Sequence, residues 1–310
     1  TMNKVFRVIW SEAQGAWVAV SETTKSHSKR SRKAALALAL AAGGLMGVTG
    51  YASATSTGEI GTGSIAIGPA ASGSCSVTDA KGANSISIGC EAGLGATGDN
   101  QTNLGYQAGA GSKGEFNTAL GSNAGEAVEG SNNTAVGRNS GGTVTGNDNA
   151  AIGSSAGASV KGNRNASLGQ NAGSAVEGND NAAFGSNAGE QVEGHNNTGF
   201  GRAAGKGVKG NSNTSLGNGA GMYQSGNGNL SAGLSAGQST YGDHNIMLGN
   251  KASTVGSKET NPISRTVVIG SEAKAHFDDT VALGTEATAK HENSVALGHA
   301  SVTSEAKAIT

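Results

Sequence analysis

The sequence has little of what builds an ordinary globular core. Its 310 residues include two prolines, two cysteines and two tryptophans, and only 4% of the residues are aromatic. So few prolines exclude collagen and polyproline architectures, and so few aromatic residues do not suit the large-residue core of a catalytic domain. Glycine, by contrast, is abundant, with 53 residues. Such a composition is typical of a disordered chain or of a repeat protein.

The charge is nearly balanced overall but unevenly distributed. The formal net charge is −1, yet residues 1–54 contain seven Lys/Arg against two Asp/Glu, which leaves the remainder acidic. The acidic remainder, residues 55–310, is not expected to bind nucleic acid.

The first 54 residues have the order of a secretory signal. A basic run at 25–33 precedes the apolar stretch 34–50, and Ala52-Ser53-Ala54 follows. The sequence therefore predicts removal of a leader between Ala54 and Thr55, with Ala52 and Ala54 as the small residues of the cleavage site. The alternative, a membrane-spanning helix, needs more than these 17 residues, four of which are glycine, to cross a hydrocarbon core of ~30 Å.

A second element precedes the basic run. The segments MNKVFRVIW (2–10) and WVAVSE (17–22) resemble the extended signal peptide of type V secreted proteins of Gram-negative bacteria. The resemblance implies Sec export into the periplasm and then passage across the outer membrane. The Sec machinery and the outer-membrane assembly machinery are the partners implied during export.

The rest of the chain is one short motif repeated. Ten glycines that each end a short apolar triplet, which we call origin glycines, follow at intervals of 16 from Gly105 to Gly249. Gly68 and Gly89 precede this series, and Gly270, Gly284 and Gly298 continue it at intervals of 14. The spacing predicts irregular N-terminal coils at 55–98, 16-residue repeats at 99–253 and 14-residue repeats at 254–310.

Each unit reads as two short strands joined by corners. Thr118 and Leu120 would share one strand face and Ala119 the other, Val128 indicates a second extended piece, and paired glycines supply the corners. Stacked coils make an all-β, parallel β-roll (solenoid). Ordering one coil costs roughly 16 to 32 kcal/mol of backbone entropy, whereas each large apolar side chain returns about 1.5 to 3 kcal/mol. This balance favours oligomerisation through one of the two faces, either the Ala/Gly face or the Leu/Val face.

One polar column is predicted to hold the stack together. Asparagine recurs four residues before the origin glycine, and stacked asparagines form amide ladders along the stacking direction. The predicted structural ladder is Asn117, Asn133, Asn149, Asn165, Asn181, Asn197, Asn213, Asn229 and Asn245.

The units SVALGxxA and NNTAVGxxSG resemble the head repeats of trimeric autotransporter adhesins of the YadA type. The resemblance implies a left-handed roll in each protomer, a homotrimer and display at the bacterial outer membrane and cell surface. No heptad-patterned stalk or anchor strands follow Thr310, so we expect an N-terminal fragment or a truncated product whose anchor is not in this chain.

We find no pattern of an enzyme, a metal site or a cofactor site. His195, His244, His276, His291 and His299 share no spacing and are expected to be solvated loop residues. Two functions remain open. One is an adhesive head that binds host matrix proteins of the collagen, fibronectin or laminin class, or its own kind. The other is a passive spacer whose binding region or stalk lies beyond residue 310.

Variable residues recur eight positions after the origin glycine, and they form either a ligand-facing stripe or a solvated mixed-charge rim. The candidates for the stripe are Lys113, Glu129, Lys161, Glu177, Glu193, Lys209 and Tyr241.

Cys75 and Cys90 both lie in the first, irregular coil. Because an exported chain meets an oxidising periplasm, we predict a disulfide between them. Two free thiols, or a bond between protomers, are the alternatives.

Overall fold

The computed structural model describes residues 6–11, 16–21, 60–68 and 78–305. The chain divides into two compact units, Thr1–Tyr51 and Ala52–Thr310. The described residues of both units form strands, bridges and turns but no helix. None of them therefore forms a helix long and apolar enough to cross a bilayer.

The first unit contains a two-stranded antiparallel hairpin. Strand β1 (Phe6–Ser11) pairs with β2 (Ala16–Ser21), so the described parts of the two leader segments are extended. The apolar stretch 34–50 and the predicted cleavage residues Ala52, Ala54 and Thr55 lie outside the described residues, so leader removal stays a prediction.

The second unit is built on a parallel sheet of 15 strands. One strand precedes each of the ten origin glycines, and one precedes each of the five flanking glycines Gly68, Gly89, Gly270, Gly284 and Gly298. All of its strands have three residues, and they follow one another in chain order along the sheet. They are β3 (Ile65–Ile67), β4 (Ile86–Ile88), β5 (Thr102–Leu104), β6 (Thr118–Leu120), β7 (Thr134–Val136), β8 (Ala150–Ile152), β9 (Ala166–Leu168), β10 (Ala182–Phe184), β11 (Thr198–Phe200), β12 (Thr214–Leu216), β13 (Leu230–Ala232), β14 (Ile246–Leu248), β16 (Val267–Ile269), β18 (Val281–Leu283) and β20 (Val295–Leu297). The prediction of an all-β parallel roll is confirmed.

The register of this sheet follows the sequence repeat. Thr118 lies opposite Thr134, one repeat later. The pairing continues where the spacing changes, since Ile246 lies opposite Val267. The sheet is therefore continuous across the boundary at 253/254, which stays a prediction.

A second column of strand pairing closes each coil. In the 16-residue coils it consists of single parallel bridges, one residue per coil, from Thr97 to Tyr241. Further along the chain a separate parallel sheet of three strands follows, formed by β15 (Ser253–Thr254), β17 (Lys274–Ala275) and β19 (Thr288–Ala289).

The interior of the roll is filled by small side chains. Ala119 is 3% exposed and Val128 is 2% exposed, whereas Leu120, between them in sequence, is 42% exposed. The two buried residues line the same narrow interior space. Because Leu120 and Glu129 each follow one of these inward residues, their side chains point outward on opposite sides of the roll.

The corners use glycine where backbones approach closely. Gly153 has a φ of +132°, and a Cβ there would lie 2.5 Å from the carbonyl oxygen of Gly169 in the next coil. Non-glycine residues also adopt positive φ, for example Asn123 (57°) and Asn132 (60°). Asparagine tolerates this conformation, and hydrogen bonds between coils hold it, such as the one from the Asn123 N–H to the Tyr106 carbonyl at 2.8 Å.

Candidate functional site

The predicted asparagines are buried and linked from coil to coil. Asn133 donates from its backbone N–H and from Nδ2 to Oδ1 of Asn117, at 2.9 and 3.2 Å. The same Nδ2 donates to the carbonyl of Gly146 at 2.9 Å. This pattern, which we call the inner ladder, recurs to Asn229, and none of the nine asparagines is more than 5% exposed.

The inner ladder changes partner at the junction with the 14-residue coils. The backbone N–H of Asn245 donates to Oδ1 of Asn229 at 2.9 Å, but its Nδ2 donates to the carbonyl of Ile263 at 2.8 Å. Oδ1 of Asn245 accepts from the Thr266 hydroxyl at 2.8 Å. Threonine thus continues the ladder where asparagine ends, and the contribution of the ladder to stability stays a prediction.

A second ladder was missed by the sequence analysis. Six residues before the origin glycine, a side chain accepts the backbone N–H of the preceding coil. Asn147 donates in this way to Asn163 at 2.8 Å, and Asn163 to Asn179 at 2.7 Å. We call this column the outer ladder. Its acceptors are Asp99, Ser131, Asn147, Asn163, Asn179, His195, Asn211, Asn227, Asp243, Ser264 and Asp278.

The outer ladder could have been found in the sequence by looking for residues with a hydrogen-bond acceptor at one repeat position, rather than for one residue type. Asparagine, aspartate, serine and neutral histidine all present an acceptor atom. His195 accepts the N–H of Asn179 at Nδ1, at 3.0 Å, so its second nitrogen carries the proton in this arrangement.

The predicted ligand-facing stripe is a continuous column, which we call the charged column. Its members follow one another through parallel bridges, and they pair within the column. Lys113 lies 2.7 Å from Glu129, and Lys161 lies 2.7 Å from Glu177. Glu193 and Lys209 are 3.3 Å apart, and Tyr241 lies further along the same column.

These ion pairs are solvent-exposed. A hydrogen bond from Lys113, helped by its charge, lowers the pKa of Glu129, and the same bond raises the pKa of Lys113. Exposed pairs contribute little to stability. Their effect is to leave much of the column without net charge, which fits a solvated rim as well as a ligand surface.

The opposite face carries an apolar column, formed by the residue before each origin glycine. Exposure in this column reaches 61% at Phe200 and 69% at Leu297. The exposed members are Leu104, Leu120, Ile152, Leu168, Phe200, Leu216, Leu283 and Leu297. A contiguous exposed apolar row of this length marks an interaction surface.

Cys90 takes part in a disulfide bond. Cys75 lies outside the described residues, so the Cys75–Cys90 pairing stays a prediction. Thiol titration of the denatured, unreduced protein tests it. Two reactive thiols per chain would contradict the pairing, and a reducible oligomer on a denaturing gel would place the bond between chains.

The histidines and acidic residues of the described ranges do not form a metal-binding cluster. No group of three or more His, Cys, Asp or Glu side chains there could hold a metal ion. Burial, together with Lys290 and Lys274, lowers the pKa of His276, so this histidine is half-buried rather than fully solvated.

Comparisons with known proteins match both parts of the chain. Residues 2–50 match the Extended Signal Peptide of Type V secretion system, and 264–287 and 278–301 match the YadA head domain repeat. A segment of 29 residues, 9% of this chain, is 59% identical to the autotransporter adhesin NhhA of Neisseria meningitidis serogroup B. That segment spans 5% of the length of NhhA.

The chain is therefore an exported type V secretion protein with a YadA-type β-solenoid head. The matched segments resemble those of trimeric autotransporter adhesins, and the destination of the chain is the outer membrane or cell surface. The matched head repeats are the 14-residue coils, and the 16-residue coils extend the same sheet. This is an adhesin family and not an enzyme class.

Proposed function

We propose that the chain forms the homotrimeric head of a surface adhesin, which binds host matrix proteins of the collagen, fibronectin or laminin class or mediates autoaggregation. The observation that carries this proposal is the division of the roll into two opposite faces. One face carries the exposed apolar column, and the other carries polar side chains that vary from coil to coil.

The apolar column is assigned to the trimer axis. The column has one residue per coil, exposed or half-buried, and these residues lie in register, so two further copies of the chain can cover them along the stack. A leucine exposed like Leu168, at 44%, gains about 1 kcal/mol when it is covered. Repeated over the column, this gain adds the apolar burial energy that a thin roll with an interior of alanine and valine lacks.

The polar face is then left for ligands. Because one backbone framework repeats from coil to coil, specificity lies in the side chains that vary. Three protomers present each outward column three times, and many weak contacts add through avidity. Matrix fibres and neighbouring heads are repetitive partners that suit such an array.

A passive spacer is the second candidate, and the charged column favours it. Lys113 with Glu129 and Lys161 with Glu177 satisfy each other within the column. A surface that satisfies its own charges attracts proteins weakly.

The proposal is tested on the purified exported chain. Light scattering should give three times the protomer mass, and a Leu168→Arg variant should lower it, because the arginine would be buried without a partner. Thr145→Arg, an exposed position on the opposite face, is the matched control and should leave the mass unchanged. A monomeric wild-type protein at all concentrations would contradict the trimer.

Binding to immobilised collagen, fibronectin and laminin, and settling of cells that display the chain, test the adhesive role. Binding or settling by the wild type supports the adhesin. A trimer that neither binds these proteins nor settles supports the spacer.

A further inference from the structure

The polar face contains a depression lined by residues of successive coils, with Tyr223 at one end. It has a volume of about 450 Å³ and lies between two outward columns, six and eight residues after the origin glycines. Its size falls in the range of small-molecule sites. The residues that matter for its chemistry are Gln191, Gly207 and Tyr223 from one column and Glu177, Glu193 and Lys209 from the other.

Tyr223 forms the aromatic end of the depression. Its ring packs against Gly207 of the preceding coil, where an added Cβ would lie 2.5 Å from the Tyr223 Cδ1 atom. The tyrosine is 47% exposed. Its body is thus held by the backbone while much of the side chain faces solvent.

The conformation of Tyr223 is unusual for a bulky residue. Its φ is +58°, in the left-handed region that large side chains seldom adopt. Smaller residues occupy the equivalent position in other coils, for example Ala127 and Ala175, at φ values of 53° and 57°. The positive φ is thus set by the coil, and the fold does not need a tyrosine at this position.

The charges around the depression cancel. Glu177 pairs with Lys161 at 2.7 Å, and Glu193 pairs with Lys209 at 3.3 Å. An anionic or cationic ligand would have to compete with these ion pairs for the charged side chains. A neutral ligand would not.

The polar groups that remain both donate and accept hydrogen bonds. Gln191 offers an amide N–H and a carbonyl, and the Tyr223 hydroxyl can donate and accept. Ligand hydroxyl groups also donate and accept, and the C–H face of a sugar ring can lie on an exposed aromatic ring. The combination fits a polyhydroxylated ring.

The neighbouring coil segments hold the site in place. The carboxylate of Glu190, beside Gln191 in sequence, accepts from Lys206 Nζ at 2.8 Å and from Asn187 Nδ2 at 2.9 Å. The backbone N–H of Tyr223 donates to the carbonyl of Lys206 at 2.7 Å. Ordered neighbours reduce the cost of ordering a ligand site.

We propose that the depression beside Tyr223 is a binding subsite for a neutral saccharide, present once on each protomer of the head. This inference rests on the proposed adhesive function, because it names a ligand class for the polar face.

The test uses the purified exported chain with lactose, maltose and N,N′-diacetylchitobiose as probes. Saturation-transfer NMR should show binding of at least one of these saccharides, and titration calorimetry should show at least about tenfold weaker binding for Tyr223→Ala. That variant should fold, since alanine already occupies the position in other coils. Tyr223→Phe should bind like the wild type. Tyr106→Ala, a matched control that removes another tyrosine of 47% exposure outside the depression, should also do so.

Two additional probes separate the ligand classes. Sialyllactose is anionic and tetralysine is cationic, and Tyr223-dependent binding of either one in preference to all neutral saccharides would overturn the proposal. So would no saturation transfer from any neutral saccharide at millimolar concentration, or equal binding by Tyr223→Ala and the wild type. Light scattering on the same samples reports the trimer separately, so failure of the subsite and failure of the trimeric head are distinguishable.

Discussion

Replacing Asn165 by leucine removes one rung from the middle of the inner ladder. In the wild type, its Nδ2 donates to Oδ1 of Asn149 at 3.1 Å and to the carbonyl of Gly178 at 2.9 Å. Its Oδ1 accepts from the backbone N–H and from Nδ2 of Asn181, both at 3.0 Å. Leucine has a similar size and keeps none of these four bonds.

The cost follows from which groups lose their partners. Asn149 Oδ1 still receives the backbone N–H of residue 165, and Asn181 Nδ2 still reaches the carbonyl of Gly194. The Asn181 N–H and the Gly178 carbonyl lose the bonds that they made to Asn165. The Asn181 N–H is buried, whereas the Gly178 carbonyl is only partly buried. Counting one unsatisfied buried group, we expect a destabilisation of about 1 to 3 kcal/mol per protomer.

Denaturant unfolding and hydrogen exchange check this expectation. The unfolding midpoint should fall, and the Asn181 amide should lose protection more than amides in distant coils, because the damage is local. The matched control is Asn163→Ala in the outer ladder, where the bond from the Asn147 N–H is exposed and water can replace it; we expect a change of about 0.5 kcal/mol. Equal stability of Asn165→Leu and the wild type would refute the structural role of the inner ladder.

Three further outcomes are expected. Gly153→Ala should prevent stable folding around its coil, because the added Cβ would lie 2.5 Å from the Gly169 carbonyl oxygen. Circular dichroism and hydrogen exchange measure this loss. Gly111→Ala is the control and should fold, because the nearest atom to its added Cβ is 4.0 Å away; equal loss of structure in both variants would contradict the steric reason. Burial tends to raise the pKa of Glu190, but its hydrogen bonds outweigh burial and lower the pKa. The stability that Glu190 contributes is therefore complete above its ordinary pKa of about 4.3 and is lost as the pH falls through the lowered value. Glu190→Gln should lose less stability than the wild type between pH 7 and pH 3 in thermal melts, and parallel curves would argue against it. N-terminal sequencing of the exported protein should begin at Thr55, and a start before residue 34 would contradict the leader assignment.

The repeat made the architecture predictable, but side-chain size did not indicate the inside of the roll. Large apolar residues are usually buried, yet Ala119 is inside and Leu120 outside. The reason is the thinness of the coil: a Cβ on Gly125 would already lie 3.0 Å from the Cβ of Ala119. No leucine fits in that space, and the distance between opposite walls of a coil cannot be read from one sequence.

Columns of identical residues were easier to find than columns of equivalent chemistry. The inner ladder stands out because asparagine fills it, and its hydrogen bonds follow the predicted direction. The outer ladder mixes Ser131, Asn163 and His195, which share only an acceptor atom. The depression beside Tyr223 depends on which coils are neighbours and on a tyrosine at a strained φ, and neither is visible without the stacked structure.

The direction of the hydrogen bonds in both ladders has a mechanical consequence. They join each coil to the next, along the stacking direction, so tension on an end of the chain loads the bonds of one terminal coil before those of the others. A 16-residue coil that peels away lengthens the chain by roughly 50 Å, while the coils behind it keep their contacts. Under shear, such a head unfolds one coil at a time and dissipates energy at each step. When the force is released, the unfolded coils can refold onto the coils that stayed folded.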